Sequence, residues 1–252
     1  MTDSHILFST PMVRALLAGT KTQTRRTLKL PKRTFSGGPI YEHPDMGGWE
    51  PTTNGGGGCF TIGKDGARQP RPETIGMWHR TTGVAFDAPH QAGDRLWVRE
   101  SWRSHAHYDD LAPSEMGGEE PIRYEADGAH QTRGYPAISK LGRYRAARHM
   151  PRWASRLTLI VTEVRVQRLQ DIGEEDARAE GIAPLPAGRY YCGEDEEGPV
   201  TSKSAITAYA WLWNRINGED AWAANPWVAA YTFTVHPQNI DALPAIKAGG
   251  RP

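Results

Sequence analysis

Cysteine is nearly absent: Cys59 and Cys192 are the only two in 252 residues. That excludes a disulfide-stapled scaffold, and a reduced thiol pair is expected. Two thiols are too few for a zinc site without several histidines. The nine histidines are scattered, only His105 and His107 lie close, and no HExxH or CxxC accompanies them, so no metal is expected. No run of about eighteen apolar residues exists, which argues against a membrane-spanning helix. MTDSHILFST at the start has neither a basic leader nor a long apolar region, so no export signal is expected and the location is read as cytoplasmic. Gly55 to Gly58 are not followed by GK[ST], and no Rossmann glycine pattern is present. No cofactor is expected.

Acid is missing from two long stretches. Ser4 to Tyr41 holds Arg14, Lys21, Arg25, Arg26, Lys29, Lys32 and Arg33 with no carboxylate. Gly128 to Thr162 holds Arg133, Lys140, Arg143, Arg145, Arg148, Arg152 and Arg156, again with none. The acids gather at Asp109 to Asp127, Asp171 to Glu180 and Glu194 to Glu197. Such segregation fits a polyanionic partner on one face, or patches that neutralise one another in space. Composition does not choose between them.

What is present reads as mixed α+β. HILFS, from His5 to Ser9, is a strand. Ser9 or Thr10 caps a helix that starts at Pro11, buries Met12, Val13, Leu16 and Leu17, and stops at Gly19. Residues 31–92 read as a long mobile insertion with one hairpin, because Gly and Pro recur without periodicity. RLWVR from Arg95 is a half-buried strand, and Ile122 to Ala126 a weaker one. Arg156 to Leu169 is the strongest strand signal, long enough to bend or to form two strands. Asp171 opens a helix, with Glu174 completing a capping box, that stops at Gly181. A further loop spans 184–203. Ser204 starts a helix with Ile206, Tyr209, Leu212, Trp213 and Ile216 inward. WVAAYTFTV, from Trp227 to Val235, is a closing strand, and 237–252 a flexible tail. Strands at both ends of the chain with short helices between suggest a small, closed or nearly closed β-barrel.

Two segments carry unusual chemistry. LLAGTKTQTRR, from Leu16 to Arg26, combines a lysine and threonines with neighbouring cations. A lysine whose pKa is lowered can serve as base for a threonine hydroxyl. On an ideal strand, however, Lys21 and Thr24 point to opposite faces. On the residues alone, a basic loop touching phosphate, or simply solvent, is the better reading. Glu180 ends its helix, where the dipole disfavours its charge and suits a proton donor. Arg99 and Glu100 leave a strand as if lining a mouth. HMPRW, from His149 to Trp153, offers Arg152 to phosphate and Trp153 to the core.

Together, LLAGTKTQTRR, GDRLWVRESW, RLTLIVTEVRV and LQDIGEEDARAEGI resemble the ASCH domain, a PUA-like β-barrel family. HMPRWASR and NPWVAAYTFTV are similar to a phage or prophage subgroup. The resemblance implies a single ASCH domain over 1–236, a PUA-like small β-barrel with short helices and loop insertions at about 31–92, 104–148 and 184–203. It implies a modified nucleoside or nucleic acid as partner, RNA before DNA. One small bacterial member removes the acetyl group from N(4)-acetylcytidine. Its motif aligns with Gly19, Lys21, Thr22, Thr24 and Arg26, and LxxxxEx(5)E matches Leu169, Glu174 and Glu180. The resemblance thus implies Lys21 as base, Thr24 as nucleophile and Glu180 as proton donor. Gly19, Thr22, Arg25, Arg26, Arg99, Glu100 and Arg152 are the expected binding residues. Arg25 departs from the small enzyme, which has an apolar residue there. A non-catalytic reader of RNA or modified nucleic acid is the alternative, and a ribonuclease the third.

Overall fold

The structure is a computed structural model that describes residues 2–34, 36–40, 48–63, 65–132, 138–195 and 198–244. Arg133, Glu196 and Glu197 of the charged stretches lie outside them. The chain opens with β1 (Asp3–Leu7), α1 (Thr10–Leu17) and β2 (Gln23–Thr27). Next come β3 (Trp49–Asn54), β4 (Phe60–Ile62), β5 (Arg68–Pro70), β6 (Thr74–His79) and β7 (Ala85–Asp87). They are followed by β8 (Arg95–Arg99), β9 (Trp102–Arg103), β10 (Ile122–Tyr124), β11 (His130–Gln131) and β12 (Thr158–Arg168). The chain then forms α2 (Glu174–Ala179), β13 (Pro184–Leu185), β14 (Arg189–Asp195), β15 (Gly198–Ser202), α3 (Ala205–Asn217) and β16 (Trp227–His236).

The central sheet has the order β1-β8-β12-β16-β2. β1 and β8 are parallel, and the other pairs are antiparallel. The expected bend in the long strand is a register shift between Val161 and Glu163. The sheet is not a closed barrel. β1 and β2 are its two edges and form no ladder with each other. They are bridged by a side chain instead, with the Arg26 guanidinium donating to the Leu7 carbonyl at 2.6 Å.

α1 carries the chain from one edge of this sheet to the other. Proline in its first turn removes an N–H that would have lacked a partner anyway. Val13 and Leu16 are fully buried beneath the sheet, each contributing about 1.5–3 kcal/mol by leaving water. Leu17, expected inward, is exposed, because the helix buries a narrower stripe than its apolar residues allow. Gly19 adopts φ +70°, and the amides of Thr20 and Lys21 then return to the Ala15 carbonyl.

Three expected loops hold structure. Residues 31–92 contain the sheet β3-β6-β7 and the hairpin β4-β5, and Trp49, Met77 and Val84 join the main core. The 104–148 region adds β10 and β11 to β9, with Trp102, Ile122 and Tyr124 packed beneath. The 184–203 segment is the sheet β13-β14-β15, and α3 packs on it through Tyr209 and Trp213. Ile216 at the end of α3 is exposed rather than inward. The tail is docked through residue 244. Ile240 is fully buried, Asn239 donates to three carbonyls between Arg152 and Ser155, and Asp241 pairs with Arg152. Trp153 is half-buried against the third core cluster. Residues 245–252 lie outside the described residues.

Asp171 does not open α2. It ends a single 3-10 turn (Leu169–Asp171), and α2 begins at Glu174 after Gly173. Glu174 serves a different helix. Its carboxylate accepts from the Ser204 hydroxyl and, at 2.8 Å, from the Ala205 amide, holding the start of α3. Glu174→Ala is expected to cost about 1 kcal/mol, the usual value of a lost cap. Chemical denaturation with an unchanged m-value would show it, and an unchanged midpoint would refute the cap.

Candidate functional site

The site forms where β2 meets α2 and α3. Lys21 precedes β2 and pairs with Glu180 as an isolated antiparallel bridge. Thr22 uses its amide on the Ala179 carbonyl, and its carbonyl accepts from the Phe233 amide. Lys21, Gln23 and Arg25 all reach the carboxylates of the α2 segment. The Lys21 ammonium, fully buried, donates to both the Glu180 carboxylate and its backbone carbonyl at 2.8 Å. Arg25, whose side chain is also fully buried, donates to Glu180 at 3.2 Å, to Asp176 at 2.6 Å and to Gln23 at 2.6 Å. Arg165 closes the far side of Asp176 at 2.9 Å. Asp176 and Glu180 stand four residues apart, so one helix face presents both.

Gly181 explains how Glu180 comes so close. It adopts φ +97°, and an added Cβ would lie 3.1 Å from Ala15 Cβ and 3.3 Å from Lys21 Cβ. Any larger residue would press on the lysine stem.

A cleft of about 70 Å³ lies beside this network, lined by Thr24, Arg25, Arg26 and Glu180 on one side. Tyr209, Leu212 and Trp213 of α3 line the other. Thr24 pairs with Tyr231 in the β2–β16 ladder. Phe8 lies under two cations, with Lys21 Nζ 5.6 Å and the Arg26 guanidinium 5.1 Å from its ring centre. Arg26 Nε is buried with no acceptor among the described residues.

Burial lowers the pKa of Lys21, against the opposing pull of Glu180. Burial and then Glu180 push the Tyr209 phenol well up, so it stays a protonated donor. Burial pushes Asp176 up, but Arg165 and Arg25 outweigh it and hold the carboxyl below its usual range. The Arg95 hydrogen bond likewise lowers Asp3. A depressed carboxyl stabilises the fold above its unfolded pKa of about 3.9 and loses that contribution as pH falls through the folded value. Thermal midpoints should therefore fall on acidification below about pH 4, and Asp176→Asn should flatten that fall. A parallel acid limb in this variant would show that Asp176 does not contribute.

The structure brings Glu180 to Lys21 and Arg25 across more than 150 residues of sequence separation, and Thr24, Arg25, Arg26 and Glu180 line one cleft, with Lys21 fully buried behind Glu180 rather than in the lining. The other expected residues lie elsewhere. Gly19 shapes the turn, and Thr22 serves the backbone. Arg25, although it lines the cleft, is held by carboxylates rather than left for phosphate. Arg99 stacks on Trp97 at 4.6 Å and donates to the Arg148 carbonyl. Glu100 is buried against Arg156 at 2.8 Å and 2.9 Å. Arg152 is engaged by Asp3 and Asp241. None of these three lines the cleft. Two cations of the second basic stretch, Arg152 and Arg156, are thus neutralised in space.

Tyr209 and Asp176 are site residues that the sequence pattern does not single out. The helical spacing places Tyr209 in the core, although a buried tyrosine hydroxyl needs a partner. Asp176 is detectable as the residue four before Glu180. Among the described residues no group of three His, Cys, Asp or Glu side chains gathers as a metal would need. No helix among them is long and apolar enough to cross a membrane. No family model, curated protein or solved structure matches the chain.

Proposed function

We propose that the chain is an ASCH-type, PUA-like amidohydrolase that removes an acyl group from an N(4)-acylated cytosine. The observation that carries this reading is the buried Lys21–Glu180 pair at 2.8 Å, with Thr24 lining the cleft that Glu180 also lines. In the reactive form the ammonium proton has passed to Glu180 along this hydrogen bond, a transfer favoured by the burial that lowers the Lys21 pKa. Lys21 is then a free amine and Glu180 a carboxylic acid. Lys21 takes the Thr24 proton as Thr24 Oγ bonds to the acyl carbon. Glu180 gives its proton to the exocyclic nitrogen as the C–N bond breaks. Water then releases the acyl group from Thr24 as a carboxylic acid. Arg26 supplies a donor for the oxyanion, since its Nε has no acceptor among the described residues.

A second reading has its own support. Both polar contacts of the Lys21 ammonium go to Glu180, and about 70 Å³ is far below the volume of a nucleoside pocket. The engaged ammonium favours a reader that grips a modified base without cutting it, while the small volume limits what either reading can admit. On the hydrolase reading, only the acyl end enters the cleft. The test is incubation with N(4)-acetylcytidine and chromatographic separation of cytidine. Cytidine from the parent but not from Lys21→Ala supports the hydrolase. No cytidine from any acylated cytidine rejects it in favour of the reader.

A further inference from the structure

A groove of about 710 Å³ lies where the chain leaves β2 and enters β16. Lys29, Lys32 and Arg168 line it together with Trp49 and Trp227. Among the described residues no carboxylate does. Lys29 and Lys32 are exposed, and neither pairs with a carboxylate among the described residues. The Arg168 guanidinium lies 4.3 Å from the centre of the Trp227 ring and is steadied by the Asn225 carbonyl. Stacked on the half-buried indole, it forms a flat, charged plane.

This groove differs from the rest of the basic surface. Arg152 and Arg156 each meet two carboxylates, and Arg145 is held by the carbonyls of Tyr108 and Leu111. Lys29 and Lys32 meet no carboxylate among the described residues. Exposed cations beside an aromatic–guanidinium plane match a nucleic-acid backbone with unpaired bases, since a base in a duplex offers no face to stack. The groove also adjoins the cleft along the chain. Thr27 lines the cleft, and Leu28 lines the groove.

We propose that this groove binds single-stranded nucleic acid and presents one of its bases to the cleft, so that the substrate is an acylated cytosine within a strand rather than a free nucleoside. The substrate half rests on the hydrolase reading, and the binding half does not.

The test uses a fluorescein-labelled, cytidine-rich RNA of about twelve nucleotides, within the range one small site covers. Anisotropy is followed against salt for the parent, Lys29→Glu/Lys32→Glu and Arg168→Ala. The double variant should bind at least tenfold more weakly. Its slope of log affinity against log salt should shrink by about 0.7 for each phosphate that the variant no longer neutralises. Deacylation of N(4)-acetylcytidine placed in the RNA should fall in step, while deacylation of the free nucleoside stays at the parent's rate.

Affinity unchanged in the double variant would overturn the groove, whatever the activity. Poly-glutamate competing as well as unlabelled RNA would also overturn it, in favour of a general polyanion surface. RNA binding abolished in the variant, with neither substrate cleaved by the parent, would keep the groove and reject the hydrolase. Equal kcat/KM for free and strand-borne substrate would overturn delivery by the strand.

Discussion

Lys21→Met is expected to lower the midpoint of thermal unfolding by about 10 °C. The methionine keeps the apolar stem but removes the ammonium that serves both the Glu180 carboxylate and its carbonyl. Lys21 is fully buried, so water cannot replace those bonds. Removing one member of a buried pair costs about 3 kcal/mol, because the remaining charge keeps its desolvation penalty. For a chain of this size, that is about 6–12 °C. Lys21→Met/Glu180→Gln removes both charges and should recover part of the loss. Arg25 then keeps Asp176, its shorter contact at 2.6 Å. Calorimetry of the parent, both single variants and the double variant measures the coupling directly. A parent-like midpoint for Lys21→Met would show that the pair contributes little to the fold.

Thr24→Val should reduce kcat/KM for deacylation at least about a thousandfold while leaving the thermal midpoint within about 2 °C of the parent. Valine matches threonine in shape and keeps the β-branched fit to the strand. The β2–β16 ladder uses the backbone of Thr24 and is untouched. Only the hydroxyl proposed as nucleophile is removed, and a thousandfold loss corresponds to about 4 kcal/mol of barrier. The two variants thus separate roles that share one site. On the hydrolase reading, Lys21 carries stability as well as chemistry, whereas Thr24 carries chemistry alone. Deacylation by Thr24→Val at more than a tenth of the parent's rate would remove it as nucleophile. A reader would keep its affinity in this variant, which makes the same protein sample informative for both readings.

Much of the central sheet is legible in the sequence alone. β12 and β16 are long apolar runs, and α1 carries its own start and stop signals in Pro11 and Gly19. Such signals are local, so sequence suffices to place them. The insertions are not legible in the same way. β3, β6 and β7 have short, mixed patterns, and they are strands because they pair with one another and because Trp49 and Met77 reach the main core. The docked tail escapes the sequence pattern for the same reason, since Asn239 and Asp241 find their partners on a segment more than eighty residues earlier.

By itself, the sequence determined that the chain is a mixed α+β protein with strands at both ends, and that Lys21, Thr24 and Glu180 sit in unusual surroundings. A helix stop, a strand pattern and a helix-end carboxylate are all readable within a few residues. The tertiary structure decided which cations are paired and which meet no carboxylate among the described residues. Arg25, Arg152 and Arg156 carry the same charge as Lys29 and Lys32. The first three fold against carboxylates from distant segments, while the two lysines meet none among the described residues. Charge is a property of the residue, but its neutralisation depends on neighbours that only folding supplies.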